Sequence, residues 1–163
     1  IDMGTKENPY EQGKKRHNLL LGWKLLEHTY SDGNPLKVHK TVTFSMNEKA
    51  TLRKWITAWF AGQNVNFDDF DFTNLINKGC KLVVSPNQAG RNVVTNVMPH
   101  ETATTFEDVE IFSLEGYAGE PLPGQFDEWK INAIKESDEY KKATGGAVNE
   151  TPAGVILEDD VPF

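Results

Sequence analysis

The sequence predicts a mainly-β fold, a small and partly open barrel with a few helices, followed by a flexible acidic tail. Three observations carry that prediction. Two long runs alternate apolar and polar residues on either side of an Asp-Gly turn, which is the pattern of a hairpin. One strongly helical stretch interrupts the strands after the third of them. Beyond Lys135 the apolar periodicity fades into polar and small residues.

Residues 1–17 are polar and punctuated by Gly4, Pro9 and Gly13, which predicts a loop after a short strand at residues 1–3. The loop closes on Lys14-Lys15-Arg16-His17. Four neighbouring cationic or titratable groups repel one another unless an anion sits among them, and phosphate is the simplest candidate. Residues 18–30 then read as a strand, with Leu19, Leu21, Trp23 and Leu25 on one face and Leu20, Gly22, Lys24, Leu26 and His28 on the other. Gly22 inside it signals a bulge or bend. Ser31-Asp32-Gly33-Asn34-Pro35 is the turn. The returning strand, residues 36–44, places Leu36, Val38, Val42 and Phe44 on a core face and Lys37, His39, Thr41 and Thr43 on a polar, basic one.

Ser45-Met46-Asn47-Glu48 has the spacing of a capping box, and Leu52, Trp55, Ile56, Trp59 and Phe60 follow at helical spacing, with Gly62 as the stop. Trp55 and Trp59 are expected in the core rather than stacked on a ligand. Asp71 or Thr73 caps a short helix over residues 73–78. Residues 80–85 and 92–98 form a second strand pair around a turn that carries Gly90 and Arg91. A last short strand is expected at 109–114, and a final amphipathic helix from Phe126, Trp129, Ile131 and Ile134, after Pro123 and Gly124. The order strand, strand, strand, helix, strand, strand and short final strand is that of an OB-fold, a five-stranded Greek-key barrel with a helix between strands 3 and 4. Residues 1–135 are its expected extent, and residues 136–163 the expected tail.

Charge sharpens this. The chain of 163 residues has net charge −7, but residues 1–60 sum to +4, residues 61–100 to 0 and residues 101–163 to −11. A basic first half joined to an acidic second half is expected of a nucleic-acid binder with an acidic arm. The single Cys80 excludes an internal disulfide and suits a reducing compartment, so a cytoplasmic protein is expected. No apolar stretch reaches membrane-spanning length, no signal peptide pattern opens the chain, and Ile1 in place of Met is expected of either a trimmed or an unresolved N-terminus. Phosphate-binding glycine loops, Cys-x-x-Cys, His-Glu-x-x-His and Gly-x-Ser-x-Gly are all missing, and His17, His28, His39 and His100 are scattered. The expectation is a binding module, not an enzyme, with no cofactor and no metal.

A basic groove would track phosphates while exposed rings stack on unpaired bases irrespective of sequence. The candidate stacking residues are Tyr10, Trp23 and Tyr30. Those for phosphate contact are Lys14, Lys15, Arg16, Lys24, Lys37, Lys40 and Arg91, with His39 on the same basic surface.

The chain ends in Glu158-Asp159-Asp160-Val161-Pro162-Phe163. Acidic residues lead into a proline-stiffened phenylalanine whose α-carboxylate adds another negative charge, a form suited to terminal-carboxylate capture by an apolar slot with a basic rim. This ending resembles the acidic C-terminal tip of bacterial single-stranded DNA-binding proteins. The body looks more like a phage-encoded member of that group, through Gly13-Lys14-Lys15-Arg16-His17 up to Gly22-Trp23. The resemblance implies single-stranded DNA as one partner, and replication, recombination and repair enzymes as others. Asp159 and Asp160 would face the basic rim, and Pro162 and Phe163 would fill the pocket. Val161 replaces another aliphatic residue, and Glu158 replaces the usual Asp. Tetramer formation by the bacterial route is not implied. An alternative is a phage regulator or decoy that offers the tip to host enzymes without binding DNA. The polar residues 136–154 would be its tether, with a reach of roughly 25 Å.

Overall fold

The computed structural model describes residues 1–101 and 104–146, and divides the chain into two compact units. Among the described residues, the first contains Ile1–Val42 and residues 112–146. The second is Thr43–Ile111. The described residues are mainly β, with two antiparallel sheets and a few helices, and no closed barrel is found among them.

In the first unit, β1 (Asp2–Glu7), β2 (Lys15–Thr29) and β3 (Pro35–Thr43) form one sheet in the order β1-β2-β3. The polar opening expected to be loop is therefore largely strand. Its side chains find cross-strand partners, with Thr5 opposite His17 and Glu7 opposite Lys15. The register shifts between Asp2 and Gly4, so Met3 is the extra residue of a bulge that buries both Asp2 and Met3. Residues 8–14 close the hairpin, with the Asn8 amide donating to the Lys14 carbonyl at 2.7 Å. The Asp-Gly turn forms as expected: the Tyr30 amide donates to the Asn34 carbonyl at 2.8 Å, and Gly33 takes φ +84°.

Met3, Leu20, Leu114, Phe126 and Ile134 form the core of this unit, with Phe112, Leu122, Ile131 and Tyr140 packed around them. The strand expected at residues 109–114 does not form. Asp2 donates its amide to the Phe112 carbonyl, but its carboxylate then takes the Leu114 amide at 3.1 Å, so a side chain ends the ladder where a second strand would continue it. The final helix, α2 (Glu128–Lys135), starts later than its apolar pattern suggests, and Phe126 enters the core from outside it.

Residues 136–146 were expected to begin the tether. Instead α3 (Asp138–Ala143) packs on β1. The buried Ser137 hydroxyl accepts from the Tyr140 amide, Asp138 and Glu139 occupy the first turn, and Lys141 and Lys142 the last, so both ends match the helix dipole. Gly4 makes the close approach possible. It has φ +68°, and a Cβ there would lie 2.4 Å from the Ser137 Cβ. Only glycine fits.

In the second unit, α1 (Thr51–Trp59) lies between β3 and β4 in sequence, as expected. The capping box does not cap it: Ala50 is the N-cap, without a side-chain bond, and Ser45 and Asn47 spend their oxygens on the preceding turn. Leu52, Trp55, Ile56, Trp59 and Phe60 are buried, and the helix packs on β5. Asp71 caps the 3-10 turn Phe72–Leu75 by accepting from the Thr73 amide at 2.8 Å. β4 (Cys80–Pro86) pairs with β5 (Asn92–Pro99). A register shift at Val83 and Val84 leaves Thr95 as the extra residue, which lets both Val94 and Val97 turn inward.

Candidate nucleic-acid interface

The expected phosphate-binding cluster at the start of β2 already has anions, and they are the protein's own. Lys14 Nζ lies 3.0 Å from Glu11, Lys15 Nζ 2.8 Å from Asp138, and Arg16 Nη2 4.0 Å from Glu11. On the neighbouring strand Lys6 reaches Glu136 at 3.5 Å. His17 sits between two carboxylates, with Nε2 2.7 Å from Asp2 and Nδ1 3.5 Å from Glu139. The hydrogen bonds that its imidazolium donates to Asp2 and then Glu139, against the opposing effect of burial, raise its pKa to about 9. Burial pushes Glu139 upward, but the bonds from His17 and from the Thr5 amide and hydroxyl outweigh it and bring the carboxyl to about 2. Asp2 follows the same pattern. Burial raises it, while His17 and the amides of Gly4 and Leu114 lower it further. The cluster is thus a sheet-to-helix clamp, and the carboxylates of α3 stand where phosphates were expected.

A second basic surface lies on the hairpin of β2 and β3. Gly22 stands beside His39, for a Cβ on it would come within 3.1 Å of His39 Cδ2, so these residues share a face. Alternation puts Lys24 next to Gly22 on that face, and Lys37 next to His39. Lys37 is exposed and Lys24 half-buried. Tyr30 is 46% exposed at the hairpin end, its hydroxyl oxygen accepting the Lys37 amide at 3.4 Å. Lys40 and Trp23 are half-buried and fall by alternation on the other face, with Val38 and Leu25 respectively. Neither therefore joins Lys37.

The most informative departure is Trp129. Its place in the apolar pattern predicts core, yet it is 48% exposed and meets His39 edge-on, with centroids 5.9 Å apart and planes at 73°. The inward position on that turn of α2 belongs to Lys130, whose side chain is fully buried and bonded to Asp127 at 2.9 Å. Asp127 is held low mainly by that hydrogen bond, and it also feels Lys37 and His39. No sequence signal separates an exposed tryptophan from a core one here.

The two remaining described candidates sit in turns. Tyr10 is 72% exposed at the tip of the loop between β1 and β2. Arg91 is exposed in the β4–β5 turn, where its amide and that of Ala89 both donate to Asn87 Oδ1. The tip residues Glu158, Asp159, Asp160, Val161, Pro162 and Phe163 lie outside the described residues. Among the described residues no group of three or more His, Cys, Asp or Glu could hold a metal ion, and no helix is long and apolar enough to cross a membrane. Comparison with protein-family models, curated proteins and solved structures found no match.

Proposed function

We propose that this chain is a sequence-independent single-stranded DNA-binding protein, not an enzyme, which recruits replication or recombination enzymes through residues 158–163. The observation that carries this reading is the hairpin face that holds Lys24, Lys37 and His39, with the exposed ring of Trp129 against His39 and that of Tyr30 bonded to the Lys37 amide. Cations beside exposed aromatic rings suit a ligand with a phosphate backbone and unstacked bases. The order of three strands, a helix and two strands supports an OB-like arrangement. The tip supplies the recruiting element, and the cytoplasm, a host's if the chain is phage-encoded, is the compartment.

The test is a titration with labelled oligo-dT at two salt concentrations, on the full chain and on a chain ending at residue 146. Truncation at 136 would instead strip α3 from β1. Micromolar or tighter binding that weakens steeply with salt is expected of both chains, and loss of enzyme capture from the shorter one. Absence of binding by the full chain at low salt would refute the reading. It would favour a regulator that offers the tip without holding DNA, a second reading supported by the pairing of Lys14, Lys15 and Arg16 with the protein's own carboxylates.

A further inference from the structure

We infer that the Trp129 indole is a fixed platform on which one unpaired nucleobase stacks, with Lys37 receiving a phosphate of the same strand. The inference rests on the DNA-binding reading above, and it assigns the stacking role to α2, outside the strands. Leaving nearly half of an indole in water forgoes a large apolar gain, since aromatic side chains dominate burial energetics. Here the ring is exposed although the same short helix buries Ile134 completely and Lys130 fully.

Exposure alone would not make a site. What distinguishes Trp129 is that it is held. The His39 imidazole meets it edge-on at 5.9 Å, and the Lys130 ammonium lies 5.7 Å from its centroid. Lys130 is itself immobilised, with no exposed side-chain surface and a 2.9 Å bond to Asp127. A ring braced in this way has little rotamer freedom left to lose when a ligand stacks on it.

The surroundings select the ligand. Gly22, exposed and without a side chain, leaves the sheet backbone open beside His39, where a Cβ would press on the imidazole at 3.1 Å. Lys37 is exposed on the same face. A flat exposed ring with the Lys37 ammonium on the same face fits a base joined to a phosphate.

The test measures anisotropy of a fluorescein-labelled oligo-dT against the full chain, so that replacing a tryptophan does not alter the readout. Trp129→Ala should weaken binding by about tenfold to a hundredfold, as loss of one base–aromatic stack does. Trp129→Phe should retain most of the affinity, and Lys37→Gln should lower the salt slope by about one. If Trp129→Ala binds as the wild type does, the inference fails and the DNA-binding reading stands. If the wild type does not bind, both fail. Photocrosslinking of the unaltered chain to a 5-iodouracil oligonucleotide covers the case in which the alanine variant misfolds. Adducts on the peptide carrying Trp129 support the platform, and adducts confined to other peptides overturn it.

Discussion

His17 should make the first unit lose stability as the solution turns alkaline. In the folded chain its imidazolium is held by Asp2 of β1 and Glu139 of α3, with Thr5 Oγ1 3.2 Å from Nδ1, and its pKa is raised to about 9. The neighbouring charges are already paired, Lys15 with Asp138, Lys6 with Glu136 and Arg16 with Glu11. An unfolded histidine titrates near 6.5, so the folded state keeps a proton that the unfolded state releases. The stabilisation is therefore complete below about pH 6.5 and lost as the pH rises through about 9. Each tenfold change in proton affinity is worth about 1.4 kcal/mol, which caps the contribution near 3 kcal/mol. The His17 and Glu139 side chains are each 32% exposed, and solvent screening reduces the figure to about 1–2 kcal/mol. Glu139, brought down to about 2, works at the other end: its contribution is present above about pH 4.5 and fades as the pH falls toward 2. Urea unfolding of the wild type and of His17→Gln at about pH 6 and about pH 9.5 measures the effect. The wild type should lose about 1–2 kcal/mol more than the variant across that interval. Parallel pH profiles for the two chains, or an imidazole seen by NMR to titrate at 6.5, would refute this account.

Two further outcomes follow from packing. Gly4→Ala forces a Cβ to within 2.4 Å of Ser137 at a residue with φ +68°, and should destabilise the first unit by about 2 kcal/mol or more. Amide exchange should accelerate in α3 before it does in α1, and uniform exchange across both helices would count against the contact. Trp59→Phe keeps most of the buried ring but removes the indole donor to the Gly79 carbonyl at 2.9 Å, and should cost about 1–2 kcal/mol in a denaturant melt.

The hairpin, the helix between the third and fourth strands and the second strand pair were legible because each rests on local periodicity. The buried face of α1, with Trp55 and Trp59 inside, follows the same rule. What was not legible depends on contacts between distant residues. The capping box at Ser45 is a local signal that lost to a local rival, since Asn47 turns the chain first. The strand at 109–114 had the right composition, but the Asp2 carboxylate claimed the Leu114 amide from 112 positions away. α3 was within reach, for Ser137-Asp138-Glu139 followed by Lys141-Lys142 has a cap and the charges a helix dipole favours, yet polarity alone read as tether. At the candidate site, the cluster of Lys14 to His17 was found but its anions were not: Asp138 and Glu139 come from α3, Asp2 from β1 and Glu11 from the loop before β2. Trp129 was placed in the core by a periodicity that Lys130 satisfies instead.

The contact between Thr5 and Glu139, 134 residues apart, has a consequence for how the chain is made. The first unit is split by the second, since residues 1–42 must meet partners from Phe112 onward. During synthesis β1 and β2 emerge long before α2 and α3, and at about 5–20 residues per second they wait on the order of ten seconds for them. Throughout that interval Met3 and Leu20 lack the Phe126 and Ile134 that later cover them. The described part of the second unit lies within one continuous segment, Thr43–Ile111, and can close first. Assembly on the ribosome thus runs from the middle of the chain outward.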